Sequence, residues 1–263
     1  MESIRGLLPF VEQAGSIAAS RQHLVTRSLK EDGSILTQVD KDLDAFLRDG
    51  IMSLFPEANL ISEETSEQSD LSGNYTFAVD PIDGTDCYSQ GMPGWSISIG
   101  LLDASAVPVA GFVFAPRWGL GPAGGSLFFT DIGGKPTLNG EPTSDPGTAL
   151  GSPQVLVGSD IHKLYRMDGF PGKVRNIGST AIHLVAPLLH SGVCGTIFNP
   201  NFVWDIAGAH AVLRSIGLSA EYFDGRPIDY RKLLHRARAE DVIIAGTKPG
   251  IDLIRRCFVP IKT

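Results

Sequence analysis

Short apolar runs separated by turn residues dominate residues 59–130 and constrain the fold more than any other feature. The runs are bounded by Gly, Pro and Asp, and their lengths are typical of strands rather than of helices. Strands are predicted at Asn59–Ser62, Thr76–Val79, Trp95–Leu102, Val107–Phe114 and Ser126–Thr130. We therefore expect a first sheet in this part of the chain.

Two amphipathic helices are predicted before this sheet. Apolar side chains recur at helical spacing from Ile4 to Ala18. A second helix, capped by Asp40, carries apolar residues from Leu43 to Leu54, and Pro56 ends it soon after. We expect the first helix to cover a sheet.

Strand and helix patterns alternate beyond Asn139–Pro153, a stretch rich in Gly, Pro, Ser and Thr that is the best candidate for a junction. The predicted strands are Gln154–Val157, Val193–Phe198 and Val242–Ala245, and the predicted helices are Ser179–His190, Trp204–Ile216 and Pro249–Cys257. This alternation indicates a second α/β layer. We predict an N-terminal α+β part at residues 1–145 and a C-terminal α/β part at residues 146–263.

Composition narrows the partners and the location. The chain has 263 residues and a formal net charge of -7, which argues against a nucleic-acid polymer because such binding depends on clustered Lys and Arg. Three widely spaced cysteines predict no disulfide framework. With no recognisable signal peptide or membrane span, we expect a soluble cytoplasmic protein.

Acidic residues follow two of the predicted strands. Asp80 and Asp83 stand three residues apart at a strand end and can converge on one point, although Asp-Pro and Asp-Gly are also common turn pairs. Glu63 ends the preceding strand, and adjacent strands could place it beside Asp80. Asp205 starts a helix of small residues, where it could equally be a plain N-cap.

These segments together resemble the inositol monophosphatase family. The resemblance lies in Asp80-Pro81-Ile82-Asp83-Gly84-Thr85, in Ser62-Glu63-Glu64 before it and in Trp204-Asp205-Ile206-Ala207-Gly208 after it. The stretches Lys30–Asp40, Gly158-Ser159 and Arg175–Ser179 are similar to family segments as well. The resemblance implies a layered α-β-α-β-α sandwich of the sugar-phosphatase type and a homodimer.

The resemblance also implies a reaction and a metal site. The expected activity is hydrolysis of a phosphate monoester of a small metabolite by water that Mg²⁺ activates, with inhibition by Li⁺ and no covalent enzyme intermediate. Two or three Mg²⁺ ions would be held by Glu63, Asp80, the carbonyl of Ile82, Asp83 and Asp205, and Asp80 would bridge two of them. This agrees with the chemistry of the residues, because clustered carboxylates repel one another unless they bind protons or cations, and hard oxygen ligands favour Mg²⁺.

Other roles implied by the resemblance concern the water and the substrate. Thr85 and Asp40 would orient and deprotonate the water, with Glu63 assisting, while Lys30 would lie near an outer site beside Glu63 and Glu64. The implied substrate-binding residues are Gly84, Thr85, Ser159, Arg175, Gly178, Thr180 and Phe198.

Phe198 departs from the inositol-specific pattern, which has a glutamate near this position. An aromatic wall there could stack on an adenine, and Arg175 could bind a second phosphate. A phosphatase for 3'-phosphoadenosine 5'-phosphate or for a sugar bisphosphate is therefore the alternative activity. The alternative of another class is a catalytically silent phosphate-binding scaffold.

One further pattern suggests a dinucleotide-binding protein, a rival function that we reject. Residues 119–124 spell GxGxxG, but Pro122 and the strand predicted at Ser126–Thr130 favour a hairpin over the helix that a dinucleotide site requires.

His210 lies about 140° around its helix from Asp205 at the usual 100° per residue, so it should not join the carboxylates. His183 and His190 are expected to pack or to face water.

Overall fold

The computed structural model describes residues 3–30, 33–65, 71–119, 125–143, 151–190 and 192–261. The α-helices are α1 (Leu8–Arg21), α2 (Gln38–Leu54), α3 (Thr85–Ser89), α4 (Ile161–Leu164), α5 (Thr180–Leu189), α6 (Val203–Arg214), α7 (Tyr230–Leu233) and α8 (Lys248–Cys257). The strands are β1 (Ser28–Leu29), β2 (Ile35–Leu36), β3 (Asn59–Ser62), β4 (Tyr75–Asp83), β5 (Ser96–Asp103), β6 (Pro108–Ala115), β7 (Ser126–Thr130), β8 (Thr137–Leu138), β9 (Glu141–Pro142), β10 (Gln154–Val157), β11 (Tyr165–Arg166), β12 (Lys173–Arg175), β13 (Val193–Phe198), β14 (Ser219–Tyr222), β15 (Ile243–Gly246) and β16 (Val259–Pro260).

Strands β3 to β9 form one sheet in sequential order. β3 and β4 are parallel, and each later pair is antiparallel, which short turns can connect. The predicted strands of this region are confirmed. β4 continues past the predicted end at Val79 as far as Asp83, so the acidic motif lies within the strand.

The strand that follows residues 119–124 is also confirmed, because β6 and β7 are antiparallel neighbours. Residues 120–124 themselves lie outside the described part of the chain.

Alternating side chains of the first sheet face two different helical layers. Phe77 and Val79 pack with apolar residues of α1 and α2, whereas Ala78 belongs to the core that contains α5 and α6. Because both faces are covered, β4 and β5 are buried along almost their whole length, including the polar residues that they carry.

The second sheet has the strand order β12-β10-β13-β15-β14. Phe198 and Ala245 face α5 and α6, while their neighbours Ile197 and Ile244 pack with α8. The layers are therefore α-β-α-β-α, which confirms the predicted sandwich. The first sheet is built from residues 59–142 and the second from residues 154–246. The predicted boundary between residues 145 and 146 lies outside the described residues.

Helix α6 lies directly against the first sheet because glycines face each other across the contact. A Cβ atom on Gly208 would lie 2.6 Å from the carbonyl oxygen of Ile99, and one on Gly111 would lie 2.7 Å from the Cα of Gly208. On Gly100 it would lie 2.6 Å from the Cβ of Ala207. The separation of helix and sheet is thus set by backbone atoms.

Two short pairs of strands complete the fold. β1 pairs with β2 to form a small hairpin before α2, and β11 pairs with β16. Within the described ranges, no helix is long and apolar enough to cross a membrane.

Candidate active site

A β-bulge in β4 brings Asp80 and Asp83 to the same face of the sheet. Asp80 pairs with Ser98 and Asp83 with Ser96, so three steps along β4 match two steps along β5. In a regular strand, residues three apart point to opposite faces, and the extra residue of the bulge removes this difference. Pro81, which has no N–H to donate, lies within the bulge, where a proline is tolerated.

Asp205 reaches the same point from the first turn of α6. The Phe202 N–H donates to Asp205 Oδ2 at 2.7 Å, and the Ser98 hydroxyl donates to the Trp204 carbonyl at 3.0 Å. Asp205 is therefore the third residue of the helix rather than its N-cap. One oxygen from each of Asp80, Asp83 and Asp205 lies within 4.8 Å of the other two.

Burial and mutual repulsion make this aspartate cluster unfavourable as three bare anions. Burial first, and then the neighbouring carboxylates, hold the pKa of Asp80 and that of Asp205 well above the usual range. Burial also raises the pKa of Asp83 to about 6, although the Ser179 hydroxyl and the N–H groups of Thr180 and Ala181 donate to it. A divalent cation would relieve this repulsion.

The donor set of the aspartate cluster fits a hard cation. All three side chains offer only carboxylate oxygen, and no Lys or Arg of the described residues forms an ion pair with any of them. The Ile82 carbonyl oxygen is nearby, 2.9 Å from the Thr85 hydroxyl, whose single proton can be donated either to it or to Asp40 Oδ1.

Glu63 lies at the edge of the aspartate cluster and is engaged by a lysine. Lys30 Nζ is 2.7 Å from Glu63 Oε1 and 2.7 Å from Glu64 Oε1. Lys30 thus lies beside Glu63 and Glu64, where it was expected. Burial would lower the pKa of Lys30, but Glu63 and Glu64 outweigh it and raise that pKa. Burial and the charge of Glu63 raise the pKa of Glu64 to about 7. Glu63 thus faces both the lysine and the cavity over the aspartates.

Asp40 and Thr85 are fixed beside one another at 3.2 Å, the Thr85 hydroxyl being placed to donate to Asp40 Oδ1. The N-cap of α2 is Thr37 rather than the predicted Asp40, which instead occupies the third helical position and completes a capping box. Its other oxygen accepts from the Thr37 N–H at 2.9 Å. Burial raises the pKa of Asp40 to about 6, despite these donors.

Gly84 makes the turn from β4 into α3, which begins at Thr85. Its φ of 90° is in the left-handed region, and a Cβ there would lie 2.9 Å from the Gly94 carbonyl oxygen. Only glycine meets both conditions without strain.

Two cavities adjoin these residues. The first, of about 510 Å³, is lined by Glu63, Asp80, Ile82, Asp83, Gly84, Thr85 and Asp205 among others. The second, of about 280 Å³, is lined by Ser159, Gly178, Thr180, Asn199 and Arg238 among others. The N-terminus of α5 joins them, because Thr180 lines the second cavity while its N–H donates to Asp83.

Arg175 and Phe198 do not have the surroundings that the sequence suggested. Arg175 is exposed on the edge strand β12, where it donates to Gln154 Oε1 at 2.8 Å, and it lines neither cavity. Phe198 is 1% exposed, and its ring belongs to the core against α5 and α6. It borders the second cavity. A buried ring offers no face for stacking on an adenine, so that expectation was wrong.

Two arginines near the site carry no sequence motif and were missed. Arg236 donates to the carbonyls of Ser62 at 2.7 Å and Glu63 at 3.1 Å, and its guanidinium lies 4.7 Å from the Trp204 ring centre. The Phe202 ring stacks on the Trp204 ring, with 4.8 Å between the ring centres. Arg238 in turn lies 5.1 Å from the Phe202 ring centre. The contacts of the two arginines join residues more than 30 positions apart, which no local pattern could reveal.

The histidines stay outside the aspartate cluster, as predicted. His183 is buried and its Nε2 accepts from the Ile177 N–H at 3.0 Å. His210 is buried with its Nδ1 2.7 Å from the Tyr230 hydroxyl. His190 contacts the Trp118 ring edge-on.

Comparison with known proteins places this site in a family. The model of the inositol monophosphatase family matches residues 8–248. The chain is 26% identical to a histidinol-phosphatase of Chlorobaculum parvum, over 94% of this chain and 93% of that protein. It is 27% identical to an inositol-1-monophosphatase of Synechocystis, over 75% of this chain and 70% of that protein.

A solved structure agrees with the fold. The extragenic suppressor protein suhB from Bartonella henselae superposes with a TM-score of 0.79 at 19% identity, covering 97% of both chains. The fold, the clustered carboxylates and the match over nearly the whole length agree: this chain belongs to the inositol monophosphatase family, whose members are metal-dependent phosphatases acting on small phosphate monoesters.

Proposed function

We propose that this chain hydrolyses a small phosphate monoester with two or three Mg²⁺ ions held by Glu63, Asp80, the Ile82 carbonyl, Asp83 and Asp205. The observation that carries the proposal is the aspartate cluster, whose oxygens lie within 4.8 Å of one another and carry raised pKa values. When bound, Mg²⁺ supplies Lewis-acid activation of water and neutralises charge on the phosphoryl and leaving-group oxygens.

Thr85 and Asp40 orient the attacking water in this proposal. Asp40 is held by the capping box of α2 and accepts from the Thr85 hydroxyl, which leaves the lone pairs of Thr85 Oγ1 to accept a proton of the water. Glu63 assists from the lining of the same cavity, where it is held by Lys30. No side chain is required as a nucleophile.

The two cavities divide the substrate between them. We assign the phosphate to the first cavity, with the backbone of Gly84 and Thr85, and the leaving group to the second, with Ser159, Gly178 and Thr180. The relatives' names include both histidinol and inositol phosphatases, so they do not decide the leaving group. Nucleotide and sugar bisphosphates remain the alternatives.

A catalytically silent scaffold is the less favoured reading. A protein that only binds phosphate would gain nothing from keeping three mutually repelling carboxylates together with the Thr85–Asp40 pair.

We also propose a homodimer in the cytoplasm. The dimer rests on the family resemblance, and the reducing location is supported by three free cysteines. Light scattering at micromolar concentration measures the assembly directly.

The test is phosphate release from a panel of metabolites, with and without Mg²⁺, by the wild type, Asp80→Asn and a control, Asp42→Asn. Asp42 is a surface residue paired with Arg21. We expect Asp80→Asn to reduce kcat at least about 1000-fold, since it removes the negative charge of the proposed shared ligand. Its metal-free thermal unfolding should occur at an equal or higher temperature, because one repelling charge is gone. A fully active, Mg²⁺-dependent Asp80→Asn enzyme would contradict the proposal.

A further inference from the structure

Arg238 is the only Lys or Arg among the described residues that line the two cavities. Its side chain is exposed, and no carboxylate of the described residues forms an ion pair with it. The acidic residue of the same cavity, Asp160, is already paired with Lys163 at 2.7 Å. The second cavity therefore contains one positive charge that the protein itself does not neutralise.

The position of Arg238 relative to the aspartate cluster is fixed by a short series of contacts. Its guanidinium lies 5.1 Å from the Phe202 ring centre, and the Phe202 N–H donates to Asp205. The next residue, Ala239, donates its N–H to the Asn201 carbonyl at 2.9 Å. Stacking on an aromatic ring orients a guanidinium without using any of its five N–H donors.

The rest of the second cavity offers mainly neutral groups. Ser159, Asn199 and Thr180 present hydroxyl and amide groups that can bind either hydroxyls or anions. His183 also lines it, but burial lowers its pKa to about 4, so it is uncharged at neutral pH. The guanidinium is then the group that distinguishes a charged leaving group from a neutral one.

We propose that Arg238 is a specificity-determining residue that binds a second anionic group of the substrate, either a phosphate or a carboxylate. The inference rests on the proposed function and names the substrate class: small phosphate monoesters that carry another anion on the leaving group. A planar guanidinium binds both kinds of oxyanion through paired hydrogen bonds. A cavity of about 280 Å³ is large enough for the remainder of a small metabolite.

The experiment compares kcat and KM of the wild type, Arg238→Ala, Arg238→Lys and a control, Arg256→Ala, at saturating Mg²⁺. Arg256 is an exposed arginine of α8, on the outer layer. The substrates are fructose 1,6-bisphosphate and adenosine 3',5'-bisphosphate with a second phosphate, 3-phosphoglycerate with a carboxylate, and glycerol 2-phosphate with no second anion.

We expect Arg238→Ala to lower kcat/KM about 10- to 100-fold for the preferred doubly anionic substrate, mainly through KM, and less than about 3-fold for glycerol 2-phosphate. Arg238→Lys should recover part of the loss, because it keeps the charge but not the paired donors. The substrate with the largest loss identifies whether the second anion is a phosphate or a carboxylate.

The outcomes separate this inference from the proposed function. An equal loss on every substrate, or no loss on any, would overturn the role of Arg238 while leaving Mg²⁺-dependent hydrolysis intact. Failure of the wild type to hydrolyse any of the three doubly anionic substrates with Mg²⁺ would also overturn the inference, whereas the proposed function is overturned only if the metabolite panel releases no phosphate with Mg²⁺.

Discussion

Arg236 combines an unusual backbone conformation with several side-chain contacts. Its φ of 58° is left-handed, which costs a residue with a Cβ about 1 to 2 kcal/mol. The turn sends its side chain to Trp204 and to the carbonyls of Ser62 and Glu63. The strain is thus offset by contacts that hold the end of β3, where Glu63 enters the site.

Arg236→Gly should therefore weaken metal binding without disturbing the backbone. Glycine adopts a φ of 58° freely, so the substitution removes the side-chain contacts alone. We expect the Mg²⁺ concentration for half-maximal activity to rise about 10-fold, because residues that orient metal ligands typically contribute that much. A titration of activity with Mg²⁺ measures this.

Ala237→Gly, at an exposed neighbouring position, is the matched control and should leave the titration unchanged. An unaltered Mg²⁺ dependence in Arg236→Gly would show that these contacts do not position Glu63.

Single residues also show where sequence reasoning succeeded and where it could not. Asp80 and Asp83 were identified because they lie in one contiguous motif. Phe198 was misjudged because β13 is covered on both faces, so its apolar pattern does not reveal which side chains face which layer. Arg238 was missed because only the folded turn after α7 brings it to the second cavity.

Among the elements, α6 determines the geometry of the aspartate cluster more than any other helix. It carries Asp205 in its first turn, and Gly208 lies one turn later against the backbone of β5 and β6. Since no side chain separates the helix from the sheet at this point, any added atom must move one of them. The bulge of β4 and the contact of α6 together define where the carboxylates meet.

Gly208→Ala should consequently damage activity more than stability. The new Cβ would lie 2.6 Å from the Ile99 carbonyl oxygen and 2.9 Å from that of Phe112, so the helix must shift. Overpacking of this kind costs about 1 to 3 kcal/mol in unfolding free energy. A displacement of Asp205 by about 1 Å is enough to lower kcat roughly 100-fold.

Urea unfolding and kcat, measured on the same preparations, check this. Gly6→Ala is the control, because its Cβ would make an ordinary contact of 3.4 Å with the Leu54 side chain. A Gly208→Ala protein with normal kcat would mean that the helix position tolerates change.

The elements themselves were mostly predictable, whereas their boundaries at the site were not. Asn59–Ser62, Gln154–Val157 and Val193–Phe198 were predicted with the bounds that the structure has. The end of β4 was placed four residues early, since Pro81 and Gly84 are turn signals in sequence and the bulge absorbs the proline. The five-layer order came from the family resemblance, and periodicity alone indicated only two groups of elements.

At the scale of the whole molecule, buried histidines make the layers sensitive to acid. His210 lies between α6 and α7, bonded to Tyr230, and burial followed by the charge of Arg214 lowers its pKa to about 3. The unfolded chain binds a proton near pH 6.5 and the folded one does not until about pH 3. The contribution of neutral His210 to the free energy of unfolding is therefore complete above pH 6.5 and is lost as the pH falls toward 3.

His210→Gln should reduce this loss. Between pH 6.5 and pH 4.5, the unfolding free energy of the wild type should fall more steeply than that of the variant, and the difference in slope should approach about 1.4 kcal/mol for each pH unit at the acidic end. Urea unfolding at several pH values gives the slopes, and contributions from the carboxylates cancel in the difference. His23→Gln, at an exposed site, should retain the wild-type slope. Equal slopes for the wild type and His210→Gln would contradict the assignment.

The two cavities have walls of different origin, and this has a consequence for evolution and for engineering. The aspartate cluster stands on β4 and α6, which are locked together by backbone contact. The second cavity is bordered largely by connecting segments, namely residues 158–160 and 199–201 with Gly178 and Arg238. Such segments accept insertions and replacements that packed layers do not. New leaving groups can thus be recruited by exchanging these segments, with the hydrolytic centre inherited unchanged.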